Sequence, residues 1–251
     1  RLLVVEDDAV NRKVIRQQLA LLGYDFTLAS QGSEALSLWR QGGFDLILSD
    51  LHMPEMDGYQ LARRIRAEEA GQRRIPILAL TANAMRGEAA RAVEAGMDEY
   101  LTKPIRLATL QTALARWLPQ QARPAPADAG PGPDDQPLVD ATVLAALVGA
   151  DREMIREILG DYAESLRSLA PQLLQAFARN DCDSIDAIAH RLKSSSRAVG
   201  AVRLGQLCTA LEQAIKDSDS AALAHGMAEF HPLHHATAAW IDRLLKEGNP
   251  V

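Results

Sequence analysis

Apolar residues in the first half of the chain form short continuous runs, separated by amphipathic stretches with apolar positions three and four residues apart. The runs predict strands and the stretches predict helices packed on one face. The predicted strands are Leu2–Val5, Phe26–Ala29, Phe44–Ser49, Ile77–Leu80 and Tyr100–Leu101. The predicted helices are Val10–Leu22, Ser33–Arg40, Tyr59–Ala70, Arg86–Ala95 and Leu107–Leu118. This alternation indicates a doubly wound α/β domain with a five-stranded parallel sheet covered on both faces.

The second half of the chain has no strand pattern and is predicted to be helical throughout. The predicted helices are Asp140–Val148, Asp151–Arg179, Cys182–Val199, Val202–Lys216 and Ser220–Lys246. Pro171 and Pro232 lie inside two of them and are expected to bend or interrupt these helices. Four long helices after a short one favour an all-α four-helix bundle with a short leading helix.

A segment without apolar periodicity separates the halves. Residues 120–137 contain five prolines and two glycines, a composition typical of a linker. The predicted organisation is therefore a first domain over 1–119, a Pro/Ala/Gly-rich linker over 120–137 and a second domain over 138–251. Arg1 leads directly into the first predicted strand, so we expect the chain to be part of a longer protein.

Composition and charge exclude several functional classes. The net charge is −6 and aromatic residues make up 4%, so neither a basic surface nor a stacking platform for nucleic acid is expected. No apolar run approaches the roughly 20 residues that a membrane helix needs, and no signal peptide is evident. The two cysteines form no CxxC pair. We expect a cytoplasmic location, with no membrane contact by this segment.

Acidic residues follow two predicted strands at the edge where ligands bind in open α/β sheets. Glu6, Asp7 and Asp8 follow the first strand, and Asp50 follows the third. In a 2-1-3-4-5 strand order these two strands are neighbours, so their carboxylates converge. Converging carboxylates repel each other unless a cation joins them, and oxygen-only ligands suit Mg²⁺. A carboxylate beside bound Mg²⁺ is also a competent nucleophile toward a phosphoryl group. The pattern therefore predicts magnesium-dependent phosphoryl chemistry.

Two further polar side chains end neighbouring strands at the same edge. Thr81 ends the fourth strand and offers a hydroxyl, and Lys103 ends the fifth and offers an ammonium. Both groups can contact the oxygens of a phosphoryl group, so they complete the predicted site.

Four motifs in this order resemble response-regulator receiver domains, particularly those inside hybrid histidine kinases. They are Val5-Glu6-Asp7-Asp8, Leu48-Ser49-Asp50-Leu51-His52-Met53-Pro54-Glu55-Met56-Asp57-Gly58, Leu80-Thr81-Ala82-Asn83-Ala84 and Lys103-Pro104-Ile105. The resemblance covers about residues 1–118 and implies a flavodoxin-like strand order 2-1-3-4-5.

The receiver resemblance also implies roles for single residues. Asp50 is the implied phosphoacceptor, and Thr81 and Lys103 contact the acyl phosphate. The implied ligands of Mg²⁺ are Glu6, Asp7, Asp50 and the backbone carbonyl of His52. Tyr100 is an aromatic switch by resemblance, with simple core packing as the alternative, and the bond from Lys103 to Pro104 is cis.

The third helix of the second half carries a histidine with a recognisable context. On a helical projection His190 lies opposite Leu192 and Ile185, so we expect it to face solvent. The string His190-Arg191-Leu192-Lys193-Ser194-Ser195-Ser196-Arg197-Ala198-Val199-Gly200 resembles the histidine-containing phosphotransfer (HPt) domain. By resemblance His190 is phosphorylated, and Lys193 neutralises charge on the phosphoryl oxygens. Ser194 stands where the family often has glycine, which affects how a partner approaches.

Together the two resemblances imply the C-terminal part of a tripartite hybrid sensor kinase, with a parent protein anchored in the inner membrane. The implied relay runs from an upstream histidine kinase core, in the same parent chain or a dimer mate, to Asp50. It continues to His190 and then to a downstream response regulator. The segment has no ATP-binding Gly-rich loop.

Two alternatives remain open. In one, the chain is a regulatory or docking module of a sensor kinase without transfer from Asp50 to His190. The other is a magnesium-dependent phosphatase, and His52 argues against it because such enzymes carry an acid at that place.

Overall fold

The computed structural model describes residues 1–69, 74–82, 86–118 and 138–247. The chain divides into two compact units, one within residues 1–128 and one within residues 129–251. The predicted linker, residues 120–137, lies outside the described residues. None of the described helices is both long and apolar enough to cross a membrane.

The described residues of the first unit alternate between strand and helix. Its elements are β1 (Leu2–Val5), α1 (Ala9–Leu21), β2 (Phe26–Ala29), α2 (Gly32–Gln41), β3 (Leu46–Asp50), α3 (Gly58–Glu68), β4 (Ile77–Thr81), α4 (Arg86–Glu94), β5 (Glu99–Thr102) and α5 (Leu107–Trp117). The strands form one parallel sheet in the order β2-β1-β3-β4-β5. The predicted doubly wound fold is confirmed, although β3 begins at Leu46 rather than Phe44.

Both faces of the sheet are buried because successive strand side chains point to opposite sides. Leu3 and Val5 pack on one side with α2, α3 and residues of α4, while Leu2 and Val4 pack on the other with α1 and α5. This explains why the three inner strands β1, β3 and β4 are largely apolar rather than alternating.

The start of α3 brings its helix close against the end of β3. Asp57 caps α3 in a reciprocal capping box with Gln60. A Cβ atom on Gly58 would lie 2.2 Å from the backbone oxygen of Asp50, so only glycine fits at this approach. The turn that carries Asp50 is therefore held by backbone packing as well as by the sheet.

In the described part of the second unit, residues 138–247, all regular elements are helices. They are α6 (Ala141–Val148), α7 (Arg152–Ala178), α8 (Cys182–Ala198), α9 (Val202–Lys216) and α10 (Ser220–Glu247). Helices α7 to α10 pack as a closed bundle in which α7 contacts α8 and α10, and α9 contacts the same two. The short α6 lies against α7 and α8. The predicted four-helix bundle with a short leading helix is confirmed.

Neither proline interrupts its helix, so the expected interruption does not occur. Pro171 lies inside α7 and Pro232 lies inside α10, and both helices continue through them. Both prolines are exposed. The carbonyl that loses its hydrogen-bond partner to a proline can therefore face water, which limits the penalty.

Gly200 joins the leading helix to the bundle. Its backbone has a φ of +79°, and a Cβ atom there would lie 2.1 Å from the backbone oxygen of Asp140. The N–H of Asp140 donates to the carbonyl of Gly200 at 3.0 Å. A side chain at this position would push the start of α6 away from the end of α8.

Replacing Gly200 with alanine is expected to lower the free energy of unfolding of the bundle by about 1–3 kcal/mol, from left-handed backbone strain and the clash with Asp140. Urea denaturation followed by far-UV circular dichroism measures this. Gly160→Ala is the matched control, because the nearest atom to a Cβ there, on Leu245, is 4.0 Å away. A Gly200→Ala variant as stable as Gly160→Ala would contradict the packing described here.

Candidate functional site

The first candidate site lies where β1, β3, β4 and β5 end. Glu6 follows β1, Asp50 and Thr81 are the last residues of β3 and β4, and Lys103 follows β5. Glu6, Asp50 and Lys103 are buried, with exposures of 1%, 4% and 7%. The parallel sheet thus brings together side chains that are far apart in the sequence.

Lys103 is the central contact of this site. Its Nζ donates to Oε2 of Glu6 at 2.5 Å and to Oδ2 of Asp50 at 2.6 Å. Burial alone would lower the pKa of Lys103, but the charges of Asp50 and Glu6 outweigh burial and raise it above its ordinary value. The ammonium therefore stays charged. Burial raises the pKa of Glu6 well above its usual value, and the Lys103 ammonium opposes this rise.

Three carboxylates of the site are arranged as a cation could bind them. Glu6, Asp7 and Asp50 each place an oxygen within 4.8 Å of the other two. An all-oxygen set of this kind suits a hard divalent cation such as Mg²⁺. Asp8 has a different role, since its Oδ1 accepts the N–H of Asn11 at 2.9 Å and caps α1.

The backbone after β3 is tied to Asp50. The N–H of His52 donates to Oδ1 of Asp50 at 3.2 Å, so the two carboxylate oxygens of Asp50 have different partners. The peptide bond between Lys103 and Pro104 is cis, as the resemblance implies. Nε2 of Gln18 in α1 donates to the carbonyl of Ile105 at 2.6 Å and holds the loop that follows Lys103.

Tyr100 lies on β5 with 46% of its surface exposed, so the core-packing alternative is wrong. Its role as a switch stays a prediction. Asn83 and Ala84 of the third motif lie outside the described residues.

Glu88 is a contact of this site that the sequence pattern did not reveal. Oγ1 of Thr81 donates to Oε2 of Glu88, in the first turn of α4. Nε2 of His52 lies 3.7 Å from the other oxygen of the same carboxylate. An acid in the first turn of a helix is common for reasons of helix electrostatics, so the sequence carries no specific signal for this contact.

The second candidate site joins α8 and α9. Nδ1 of His190 lies 2.9 Å from Oε1 of Glu212, and Nζ of Lys193 donates to Oε2 of Glu212 at 2.5 Å. Nζ of Lys193 also lies 3.5 Å from Nδ1 of His190. One carboxylate of α9 therefore holds both the histidine and the lysine of α8.

The surroundings of His190 differ from the solvent-facing position expected. Only 15% of the His190 side chain and 2% of the Lys193 side chain are exposed. The reason is that the Glu212 carboxylate and α9 pack against them. The projection considered α8 alone and missed the neighbouring helix. Glu212 lies 22 residues after His190, so no local spacing indicates it.

The charge on Glu212 determines which ring nitrogen of His190 faces α9 as a hydrogen-bond donor. Burial alone would raise the pKa of Glu212, but the hydrogen bonds from His190 and Lys193 lower it below its usual value. The carboxylate is therefore ionised at neutral pH and accepts a hydrogen bond from Nδ1. This selects the tautomer with the proton on Nδ1 and the lone pair on Nε2.

Ser194 was expected to alter the surface that a partner approaches. In the structure Ser194 is 4% exposed and lies inside the bundle. Its side chain therefore adds little to the outer surface of α8.

Comparison with known proteins finds two family matches along the chain. Residues 2–115 match the family model of the response regulator receiver domain, and residues 157–247 match that of the Hpt domain. The virulence sensor protein BvgS of Bordetella pertussis is 36% identical over 222 residues, which are 85% of this chain and 18% of BvgS. The sensor histidine kinase RcsC of Salmonella typhimurium is 42% identical over 114 residues, 45% of this chain and 12% of RcsC.

Among solved structures, the receiver domain of the sensor histidine kinase PA1611 from Pseudomonas aeruginosa is 46% identical. It covers 46% of this chain and 94% of its own length with a TM-score of 0.43, and a magnesium ion is coordinated in its active site cleft. The chain spans less than a fifth of the length of the two curated relatives. Residues 2–115 belong to the response regulator receiver family and residues 157–247 to the Hpt domain family, so this chain combines the two domains of a phosphorelay.

Proposed function

We propose that the chain is a phosphorelay segment in which Asp50 accepts a phosphoryl group from a kinase histidine and passes it to His190. His190 then phosphorylates an aspartate of a separate downstream response regulator. The observation that carries this proposal is that one chain contains two candidate nucleophiles, each held by a charged side chain. One is a buried carboxylate held by Lys103, and the other is a histidine whose Nδ1 is held by Glu212.

The proposed domain boundaries follow the sequence prediction. Residues 1–119 form the receiver domain, residues 120–137 the linker and residues 138–251 the phosphotransfer domain. The family matches lie within the two outer ranges. A covalent linker of this length would keep the two domains at a high effective concentration.

Mg²⁺ is the proposed cofactor of the receiver domain. Glu6, Asp7 and Asp50 would hold it, with the backbone carbonyl of His52 as a further oxygen ligand. The clustering of the three carboxylates supports this assignment. The bound cation would neutralise charge that develops on the transferring phosphoryl oxygens.

In the first transfer, a carboxylate oxygen of Asp50 forms a bond to phosphorus while the bond from phosphorus to the donor histidine nitrogen breaks. The Lys103 ammonium lies on Oδ2 of Asp50 and remains beside the new acyl phosphate, where it offsets negative charge. The Thr81 hydroxyl ends the neighbouring strand and donates to a phosphoryl oxygen. These are the roles proposed for Asp50, Lys103 and Thr81.

In the second transfer, Nε2 of His190 forms a bond to phosphorus while the bond from phosphorus to the Asp50 oxygen breaks. The imidazole gains positive charge as this bond forms, and the Glu212 carboxylate on Nδ1 stabilises it. Lys193 balances the negative charge of Glu212 inside the bundle. The lysine therefore acts largely through Glu212, a step removed from the phosphoryl oxygens.

The kinase core that donates the phosphoryl group to Asp50 is proposed to lie in the same parent chain or in a dimer mate. The similarity to the sensor protein BvgS and the sensor histidine kinase RcsC supports such a parent. We propose a cytoplasmic location for this segment, with a parent protein anchored in the inner membrane.

Phosphate mapping tests the order of transfer. After incubation with Mg²⁺ and a phosphorylated kinase core, the wild type is expected to carry acid-labile, base-stable phosphate on His190, and Asp50→Asn is expected to carry none. In His190→Gln the label should remain on Asp50. Label on Asp50 with none on His190 in the wild type would favour a docking module without transfer.

Replacing Glu212 tests how His190 is activated. Glu212→Gln keeps the shape but removes the charge, so transfer from Asp50 to His190 is expected to slow by about tenfold or more. Quench-flow measurement of the two phosphorylated species gives the rate. Gln213→Ala, an exposed neighbour on α9, is the control. An unchanged rate in Glu212→Gln, with normal stability, would remove Glu212 from the mechanism.

Neutralising Asp7 tests the metal site. Asp7→Asn is expected to weaken Mg²⁺ binding by about tenfold or more, because the site loses one anionic ligand. Calorimetric titration with MgCl₂ measures the affinity, and Asp25→Asn, an exposed acid of the same unit, should bind like the wild type. Chelation of Mg²⁺ should also abolish labelling of Asp50. Equal affinity in the two variants would argue against the assigned ligands.

A further inference from the structure

The carboxylate of Glu88 lies at the edge of the receiver site without being one of the clustered acids. It contacts two side chains from the ends of neighbouring strands. Thr81 is the last residue of β4, and His52 comes shortly after β3. Oγ1 of Thr81 donates to Oε2 of Glu88 at 2.5 Å, and Nε2 of His52 lies 3.7 Å from Oε1. Thr81 is 2% exposed, so water competes little for its hydroxyl.

A threonine hydroxyl has a single hydrogen and donates it to one acceptor at a time. Hydrogen bonds to a carboxylate are stronger than those between neutral groups, particularly in buried surroundings. The phosphoryl oxygens that the proposed function places on Asp50 need the same hydrogen. Thr81 must therefore leave Glu88 before it can donate to a phosphoryl group.

The charge of Glu88 acts in the same direction. A carboxylate next to the phosphoryl position raises the free energy of any further negative charge there. Both effects disfavour the phosphorylated state and favour the unphosphorylated one. The hydrogen bond and the charge both act between the first turn of α4 and the ends of β3 and β4.

We propose that Glu88 is a positioning residue that holds the Thr81 hydroxyl in the unphosphorylated receiver and so opposes occupation of Asp50. This inference rests on the proposed role of Asp50 as phosphoacceptor. Glu88 sets how far the receiver equilibrium favours the empty state, and it acts through Thr81. Because Glu88 lies in the first turn of α4, phosphorylation of Asp50 would break a hydrogen bond between Thr81 and the start of that helix.

Binding of beryllofluoride, a mimic of the acyl phosphate, tests this on the full chain at saturating Mg²⁺. Glu88→Ala removes both acceptor and charge and is expected to bind beryllofluoride about tenfold more tightly than the wild type. Glu88→Gln keeps an acceptor and should lie between the two. Glu94→Gln, an exposed acid on the same helix, should match the wild type. Structural damage would weaken binding, so a gain in affinity separates positioning from misfolding.

A double-mutant cycle tests the route through Thr81. Thr81→Ala should weaken binding, and adding Glu88→Ala to it should change the affinity by much less than in the wild-type background. An equal change in both backgrounds would overturn the positioning role and leave only a charge effect. Unchanged or weaker binding by Glu88→Ala would overturn the inference altogether.

The same experiment separates this inference from the proposed function. If the wild type binds beryllofluoride and phosphate maps to Asp50 while the Glu88 variants behave like the wild type, the inference fails and the relay stands. If the wild type neither binds beryllofluoride nor labels Asp50, the proposed function fails and the inference fails with it.

Discussion

The buried ammonium of Lys103 between Glu6 and Asp50 is the interaction on which the receiver site depends. A buried charge is tolerated only when it is paired, and removing one partner of such a pair typically costs about 3–5 kcal/mol. The paired residues lie at the ends of β1, β3 and β5, so all three strands must keep their places in the sheet. The close approach of Gly58 to Asp50 and the bond from Gln18 to Ile105 hold the two loops that carry these charges.

The two units arrange a lysine and a carboxylate around a nucleophile in different ways. In the receiver, Lys103 contacts the Asp50 carboxylate that is proposed to react. In the bundle, Lys193 contacts Glu212, and Glu212 holds His190, the histidine that is proposed to react. The difference follows from the nucleophiles, since a carboxylate carries its own negative charge while a neutral imidazole gains positive charge on phosphorylation.

Local pattern predicted most of the elements. The helix and strand bounds agree within a few residues, because burial on one or two faces produces its own apolar spacing. The edge that gathers Glu6, Asp50, Thr81 and Lys103 followed from strand order, since parallel strands end at the same side of a sheet. The sequence did not show that Pro171 and Pro232 leave their helices uninterrupted, because their exposure on the helix surface depends on the packing of the bundle.

The sequence by itself determined the two fold classes and the residues that end the receiver strands, because these depend on hydrophobic spacing and on short motifs along the chain. The strand order was implied by the resemblance of those motifs to receiver domains. Only the tertiary structure decided the burial of His190 and Lys193 and the partners Glu212 and Glu88. Those contacts join different helices and strands. Whether two such groups meet depends on how the elements pack, which a one-dimensional pattern does not specify.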